Sequence, residues 1–172
     1  MQFIIFYLQF IIFDNINILI LSITPYLIHV MRKVSDILTR KGGGVVAIDA
    51  NTSVLDALRL MAEKNIGSVI VTEEDEYAGL VTERDYARKV VLEGRSSDHT
   101  TVREIMSTGL PRILPASSIE TCMHIMSETN IRYLPVFSND RLCGIISIND
   151  VVTETILFHE DTIEHLKSYI QS

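Results

Sequence analysis

One seven-residue pattern occurs twice in this chain. It spans residues 79–85 (GLVTERD) and recurs at residues 144–150 (GIISIND), 65 positions later. Each copy contains Gly, two branched apolar residues, a hydroxyl residue, two variable positions and Asp. A buried strand that turns into a helix, with the hydroxyl residue at the N-cap, accounts for this order. Any fold of the chain must therefore form the same strand-to-helix junction twice.

The junction has two interpretations. A hydroxyl residue followed three positions later by an acid is a capping box, which satisfies free helix amides and needs no ligand. The same geometry also suits a nucleotide. The helix N-terminus favours a phosphate, and the Asp can accept two hydrogen bonds from the vicinal hydroxyls of a ribose. One copy alone favours the cap; two copies at matched positions favour the ligand site.

The pattern belongs to a longer repeat, in which residues 50–87 align without a gap with residues 115–152. Each copy predicts a short strand, a helix with a Ser N-cap and an Asn at its C-terminal end, two strands joined by a polar turn, and a final helix. The predicted strands before the two N-caps are residues 45–48 and 112–114. The fold class is therefore α/β of the α+β type, with two tandem β-α-β-β-α units that form a pseudo-twofold pair.

The repeat divides the rest of the chain. Unit one covers residues 34–92, a polar linker covers 93–100, and unit two covers 101–157. Apolar residues continue at helical spacing after Asp150, which predicts a long helix whose last part is residues 158–172. The apolar stripe of this C-terminal helix suits packing against a second chain.

Residues 1–30 differ from the repeat, because they are rich in Ile, Phe and Leu, lack Lys and Arg, and carry a single acid, Asp14. Three interpretations remain open: an over-extended reading frame with the true start at Met31, a membrane anchor, or a secretory signal. If the segment is an anchor, the basic residues that follow it leave the body in the cytoplasm. The sequence thus predicts a cytoplasmic protein, with membrane contact only if residues 1–30 are genuine.

Charge and reactive residues exclude several function classes. The net charge is −7 and the Lys and Arg residues are scattered, which argues against a nucleic-acid surface. Cys122 and Cys143 align with Ala57 and Ala78, as expected for small buried residues. The His residues lack metal-site spacing, and no nucleophile motif is present. We expect neither a metal nor a catalytic site, and hence not an enzyme.

Four cations lie near the repeated junctions: Arg84, Arg88 and Lys89 follow Thr82, and Arg132 precedes the matching strand of unit two. They are either solvated surface charges or the partners of a bound phosphate, and both interpretations stay open.

Two tandem units that each end in Gly-φ-φ-Thr/Ser-x-x-Asp resemble a pair of cystathionine-β-synthase (CBS) domains. The resemblance covers about Val34–Ile156, and TERDYARKVV (82–91) with GRSS (94–97) is similar to small stand-alone CBS-pair proteins. It implies a module with two clefts for adenosyl ligands: AMP foremost, with ADP, ATP, NAD(H) or S-adenosylmethionine as alternatives. It also implies a homodimer and an unidentified regulated protein.

The resemblance also implies roles for individual residues. Asp85 and Asp150 would hold ribose hydroxyls, while Thr82 and Ser147 would contact sugar or phosphate. Because the family builds its clefts across both units, the expected lining of the Asp85 cleft includes Arg132, Tyr133 and Pro135, and that of the Asp150 cleft includes Gly67, Ser68 and Ile70. Gly67 matches Arg132 and Ile70 matches Pro135. We therefore expect unequal clefts, with more cationic support near Asp85, where Arg132 replaces the Gly67 of the other cleft and Arg84 and Arg88 are within reach of a phosphate.

The function expected from this resemblance is regulatory: a sensor of cellular energy or redox state that signals through a change in the orientation of its two units. Two alternatives remain. The chain is either an interaction scaffold with vestigial clefts or a detached regulatory subunit of an enzyme such as inosine-monophosphate dehydrogenase.

Overall fold

The computed structural model describes residues 32–42 and 44–170, so the predictions for residues 1–30 lie outside the described residues. Lys33–Glu154, which contains both repeats, forms one compact unit, while Arg32 and the chain from Thr155 onward belong to another. Among the described residues, no helix is long and apolar enough to cross a membrane.

The first repeat forms the predicted β-α-β-β-α order. After helix α1 (Val34–Lys41) come β1 (Ala47–Asp49), α2 (Val54–Lys64), β2 (Ser68–Glu73), β3 (Glu76–Thr82) and α3 (Glu83–Tyr86), which continues as a π-helical segment (Ala87–Val91). Strand β2 lies in the middle of this sheet, parallel to β1 and antiparallel to β3. The predicted ends of α2 are confirmed, because the Ser53 hydroxyl accepts from the Asp56 amide and Asn65 is left-handed with φ 53°.

The second repeat consists of α4 (Val102–Ile105), α5 (Ile119–Thr129), β4 (Tyr133–Ser138), β5 (Arg141–Ser147) and α6 (Ile148–Ile170). The long final helix is confirmed. The strand predicted at residues 112–114 is wrong, because among the described residues only Ile113 forms a bridge there, to Val136 of the β4–β5 hairpin. Pro111 and Pro115 flank it and lack the N–H groups that would extend a ladder.

The two hairpins match in detail. Both turns place two residues in the left-handed region, Glu74 and Asp75 in one and Asn139 and Asp140 in the other, as a two-residue hairpin loop requires. In each hairpin the strand register shifts at the same position, after Val71 and after Val136. The repeat seen in the sequence is therefore a repeat of backbone geometry.

The leading helices are exchanged between the repeats, which the sequence did not indicate. Helix α1 buries Val34 and Ile37 in the core of the second repeat, and α4 buries Val102 and Ile105 in the core of the first. Main-chain hydrogen bonds fix both exchanges: the Val34 amide donates to the Ser117 carbonyl at 3.0 Å, and the Val102 amide donates to that of Thr52 at 2.9 Å. Each buried branched side chain contributes about 1.5–3 kcal/mol. Each repeat therefore needs a helix from the other's segment to complete its core.

The two cysteines have different environments. Cys122 is buried in the second core, as predicted, and burial raises its pKa to about 11. The prediction that Cys143 is also buried is wrong, because strand alternation places it on the exposed face of β5.

The glycine that opens each motif allows the exchanged segment to approach. A Cβ at Gly79 would lie 2.7 Å from the Ser107 carbonyl oxygen, and one at Gly144 would lie 2.5 Å from Leu38 Cδ2. Leu38 and Ser107 lie on the exchanged segments, so the motif glycine marks where these segments cross the strand.

We predict that Gly79→Ala destabilises the protein by about 1–3 kcal/mol, because the new methyl group meets backbone that is itself paired with Leu80. Gly144→Ala should cost less, since the Leu38 side chain can change rotamer. Gly44→Ala, which meets nothing within 4 Å, serves as the control. Urea unfolding measures all three, and equal losses for Gly79→Ala and Gly44→Ala would contradict the close approach.

Candidate functional site: a cleft between the repeats

A cleft of about 360 Å³ opens where β3 turns into α3, and residues from both repeats line it. This volume falls within the range of small-molecule sites in proteins. The lining residues are Gly67, Leu80, Thr82, Glu83, Arg84, Asp85, Arg88, Lys89, Ser107, Leu110, Asn130, Ile131, Arg132 and Tyr133. The structure thus brings seven of the twelve residues expected at the ligand sites into one cleft: Gly67, Thr82, Arg84, Asp85, Arg88, Arg132 and Tyr133.

Asp85 is both a helix cap and a wall of the cleft. Its Oδ2 accepts from the Thr82 amide at 3.1 Å and the Thr82 hydroxyl at 2.6 Å. Its Oδ1 accepts from the Ser107 hydroxyl at 3.0 Å and from Lys89 Nζ at 2.9 Å. The side chain is 13% exposed. The predicted capping box therefore forms through Oδ2, while Oδ1 binds Ser107 and Lys89, which lie outside the capping box.

Two of the first helix amides are already used within the protein. The Glu83 amide donates to the Gly67 carbonyl at 3.2 Å, and the Asp85 amide donates to the Thr82 hydroxyl at 3.1 Å. Helix α3 is also only one α-turn long. These two amides are thus engaged, and the cleft side chains are the further donors to an anion; that this helix start holds a phosphate stays a prediction.

Cationic side chains supply the positive charge that an anion would need. Arg84, Arg88, Lys89 and Arg132 line the cleft, against the two acids Glu83 and Asp85. Arg84 lies on the α-helical turn of α3, and Arg88 and Lys89 lie on the π-helical segment that continues it. Arg84 also donates to the Asn130 carbonyl at 3.2 Å, which links the helix after β3 to the end of α5. These residues therefore border a cavity and are not simply solvated charges.

Tyr133 joins the two repeats beside this cleft. Its hydroxyl lies near Ser68, which occupies the equivalent position in the first repeat. Burial, with the negative charge of Glu83, raises the pKa of Tyr133. A Cβ at Gly67 would lie 2.6 Å from the Tyr133 hydroxyl. Gly67 thus borders the cleft of Asp85, which corrects its expected place with Asp150.

The strand residues Ile70 and Pro135 were expected in different clefts, Ile70 with Asp150 and Pro135 with Asp85. Both are buried within β2 and β4, and neither is among the residues that line the 360 Å³ cleft. Ser68 and Tyr133 begin β2 and β4, and Ile70 and Pro135 lie two residues further along each strand. Pro135 is thus not among the residues that line this cleft, and its role at a ligand stays a prediction.

Asp150 forms the same cap at the second junction. Its Oδ2 accepts from the Ser147 amide and hydroxyl, both at 2.7 Å, and pairs with Lys41 Nζ at 2.9 Å. The side chain is 14% exposed, and Lys41 also donates to the Ile145 carbonyl at 3.2 Å. The lysine comes from the exchanged helix α1, whereas Lys89 follows Asp85 on the same helical segment. The two junctions are thus inequivalent, as expected, although through different residues.

Several cleft residues were missed by sequence reasoning. Ser107, Leu110, Asn130 and Ile131 line the cleft, and Ser107 binds Asp85 directly. A signal for Ser107 exists, because the aligned segments that begin at Val34 and Val102 both reach a hydroxyl residue five positions later, Thr39 and Ser107. Among the described residues, no group of three or more His, Cys, Asp or Glu side chains could hold a metal ion.

The pKa values of both motif carboxylates are lowered. Burial alone would raise the pKa of Asp85, but hydrogen bonds from Thr82, Lys89 and Ser107 outweigh it. Burial likewise opposes the shift at Asp150, where Ser147 and Lys41 outweigh it. Both carboxylates therefore stay ionised to lower pH than an ordinary aspartate does.

We predict that Asp85→Asn makes the free energy of unfolding fall less steeply as the pH is lowered from 7 to 3. Because the folded pKa lies below the unfolded value of about 3.9, the carboxylate stabilises the fold above about pH 4, and this contribution disappears as pH falls through the folded pKa. The variant should lose stability at pH 7 and less at pH 3. Urea unfolding from pH 3 to 7 measures this, with the exposed Glu128→Gln as control; parallel profiles for wild type and Asp85→Asn would contradict it.

Comparisons with known proteins agree on one family. The family model described as "CBS domain" matches twice, at residues 34–92 and 102–156. The chain is 33% identical over 147 residues to the CBS domain-containing protein CBSX3, mitochondrial, of Arabidopsis thaliana, covering 80% of this chain and 71% of that protein. It is 32% identical over 121 residues to the CBS domain-containing protein YhcV of Bacillus subtilis, covering 70% and 84%.

Solved structures give the same result. A CBS-domain protein from Burkholderia ambifaria is 44% identical with a TM-score of 0.71, covering 73% of this chain and 95% of that one. The hexameric CBS-CP12 protein from bloom-forming cyanobacteria is 29% identical with a TM-score of 0.65, covering 82% and 86%.

Proposed function

The chain belongs to the CBS-domain family, and on that premise we propose that it is a regulatory module whose Asp85 cleft binds an adenine nucleotide. Pairs of CBS domains are generally regulatory modules that bind adenosyl ligands, and the stand-alone proteins are typically non-catalytic. The observation that carries the proposal is the placement of Asp85 and four cations around one cleft built by both repeats.

The chemistry of the cleft matches the parts of a nucleotide. The carboxylate of Asp85 is the acceptor for ribose hydroxyls, and Thr82 lies beside it as a second polar group. Arg84, Arg88, Lys89 and Arg132 are the partners for phosphate, since charge-assisted hydrogen bonds from Arg and Lys hold phosphate oxygens strongly. Leu80, Leu110 and Ile131 supply the apolar surface for the base. The four cations of this lining favour the anionic AMP, ADP and ATP over the cationic sulfonium of S-adenosylmethionine.

A nucleotide in this cleft would contact both repeats at once. Arg84 already reaches the Asn130 carbonyl, and the Tyr133 hydroxyl lies beside Gly67 of the first repeat. A ligand shifts an equilibrium only by its differential affinity for two states. We propose that the nucleotide favours one orientation of the repeats and that a regulated protein reads the change, which would make the chain a sensor of energy or redox state.

Assembly and compartment form part of the proposal. We propose a homodimer in the cytoplasm; the cyanobacterial CBS-CP12 relative is hexameric, which supports self-association. The apolar side chains of Leu92, Leu114 and Met123 are exposed in this chain, and burying them would favour self-association.

We predict that AMP, ADP or ATP raises the thermal midpoint, with about 2.7 kcal/mol of stabilisation at a hundredfold excess over the dissociation constant. In calorimetry, Asp85→Ala should remove one binding step and Asp150→Ala the other, because each deletes one ribose acceptor. Circular dichroism confirms that the variants fold. Normal binding by both variants would contradict the ribose assignment, while partner capture that ignores nucleotide would favour the scaffold alternative.

A further inference from the structure

Lys89 occupies the position on Asp85 that a ribose would need. Its Nζ lies 2.9 Å from Asp85 Oδ1 and donates to the Ile105 carbonyl at 2.5 Å. The Ser107 hydroxyl shares that carboxylate oxygen, and Thr82 takes the other one. A carboxylate offers about four acceptor sites. With two donors on each oxygen, Asp85 has no acceptor left for a diol.

Ligand binding at Asp85 is therefore an exchange, and Lys89 is the group that can leave. The Thr82 bonds belong to the helix cap, which forms without any ligand. Ser107 is fixed by two backbone hydrogen bonds with Leu80, of 2.8 and 3.0 Å. Lys89 has a flexible four-carbon stem and is 37% exposed, so its ammonium can move from the carboxylate into the cleft.

The displaced ammonium needs a new anionic partner. Lys89 is itself a lining residue of the cleft, so a phosphate on the ligand would meet it there. A nucleoside has no phosphate, so when its ribose displaces Lys89 from Asp85 the ammonium loses its carboxylate partner. The nucleoside also adds no negative charge to a lining of four cations and two acids. Leaving a partly buried charged group without its partner is costly.

We propose that Lys89 is a specificity-determining residue, an inference that rests on the proposed nucleotide binding. Lys89 occupies the ribose acceptor of Asp85, which disfavours nucleosides, and it leaves that acceptor only when the ligand carries a phosphate. Ribose and ammonium thus compete for one carboxylate oxygen, and phosphate decides the competition. The carboxylate supplies affinity for every adenosyl ligand, whereas Lys89 separates the phosphorylated ligands from the others.

The test compares adenosine with ADP in titration calorimetry on wild type and Lys89→Met. Removing the competitor should strengthen adenosine binding about tenfold, and removing the phosphate partner should weaken ADP binding about tenfold, the factors expected for one charge-assisted hydrogen bond. The two affinities should thus change in opposite directions. Lys89→Gln, which keeps a polar side chain, should show the same crossover more weakly.

Arg88→Met is the matched control. Arg88 lines the same cleft but makes no hydrogen bond to Asp85 among the described residues, so its loss should weaken ADP binding and leave adenosine binding unchanged. A carbon-13 NMR titration of the ligand-free protein adds a readout that needs no nucleotide. The pKa of Asp85 should rise in Lys89→Met and stay unchanged in Arg88→Met.

The outcomes separate this inference from the proposed function. If ADP binds wild type but Lys89→Met weakens both ligands alike, or leaves adenosine unchanged, the specificity role is overturned and nucleotide binding stands. An unchanged Asp85 pKa in Lys89→Met overturns the competition itself. If neither ligand binds wild type or any variant, the proposed function and this inference fail together.

Discussion

The close approach of the segment after α4 to strand β3 is the contact on which the rest of the structure depends. Ser107 pairs with Leu80 through both of its backbone groups, and no side chain fits between it and Gly79. The same segment completes the core of the first repeat through Val102 and Ile105. It also places the Ser107 hydroxyl on Asp85 and the Ile105 carbonyl on Lys89. The exchanged segment therefore contributes to both the core of the first repeat and the site, and a change in its packing should affect the site.

The two junctions show how a duplicated structure can acquire unequal sites. Both repeats keep the strand, the turn and the cap, since these are requirements of the backbone. Differences lie in the residues that surround each carboxylate. Asp85 pairs with Lys89 on its own helix, whereas Asp150 pairs with Lys41 from the exchanged helix α1. Ligand binding at Asp150 would therefore act on α1 and on the second core, while binding at Asp85 would act first on the cleft side chains.

Much of the fold could be predicted from the sequence, because its signals are local. Ser53 and Asn65 mark the helix ends, the alternating strands and polar turns mark the hairpins, and the duplication confirms each assignment independently. The helix exchange could not be predicted, because Val34 and Val102 have the same apolar pattern and suit either core. The contact of Lys89 with Asp85 has the ordinary i,i+4 spacing of helix neighbours, but the sequence does not show that Ser107 and the Ile105 carbonyl join it. Asp85 and its neighbouring arginines were found because a repeated motif stands out; Ser107 was not, since it reaches the site only through the exchange.

The central claim is that Asp85 accepts hydrogen bonds from the ribose of a bound nucleotide. Calorimetry with ATP and 2′,3′-dideoxy-ATP tests it most directly, because the two ligands share base and phosphates and differ only in the hydroxyls. With the second junction disabled by Asp150→Ala, the account predicts that the dideoxy ligand binds at least about tenfold more weakly, as expected for lost hydrogen bonds to a charged group. Equal affinities for the two ligands would contradict it.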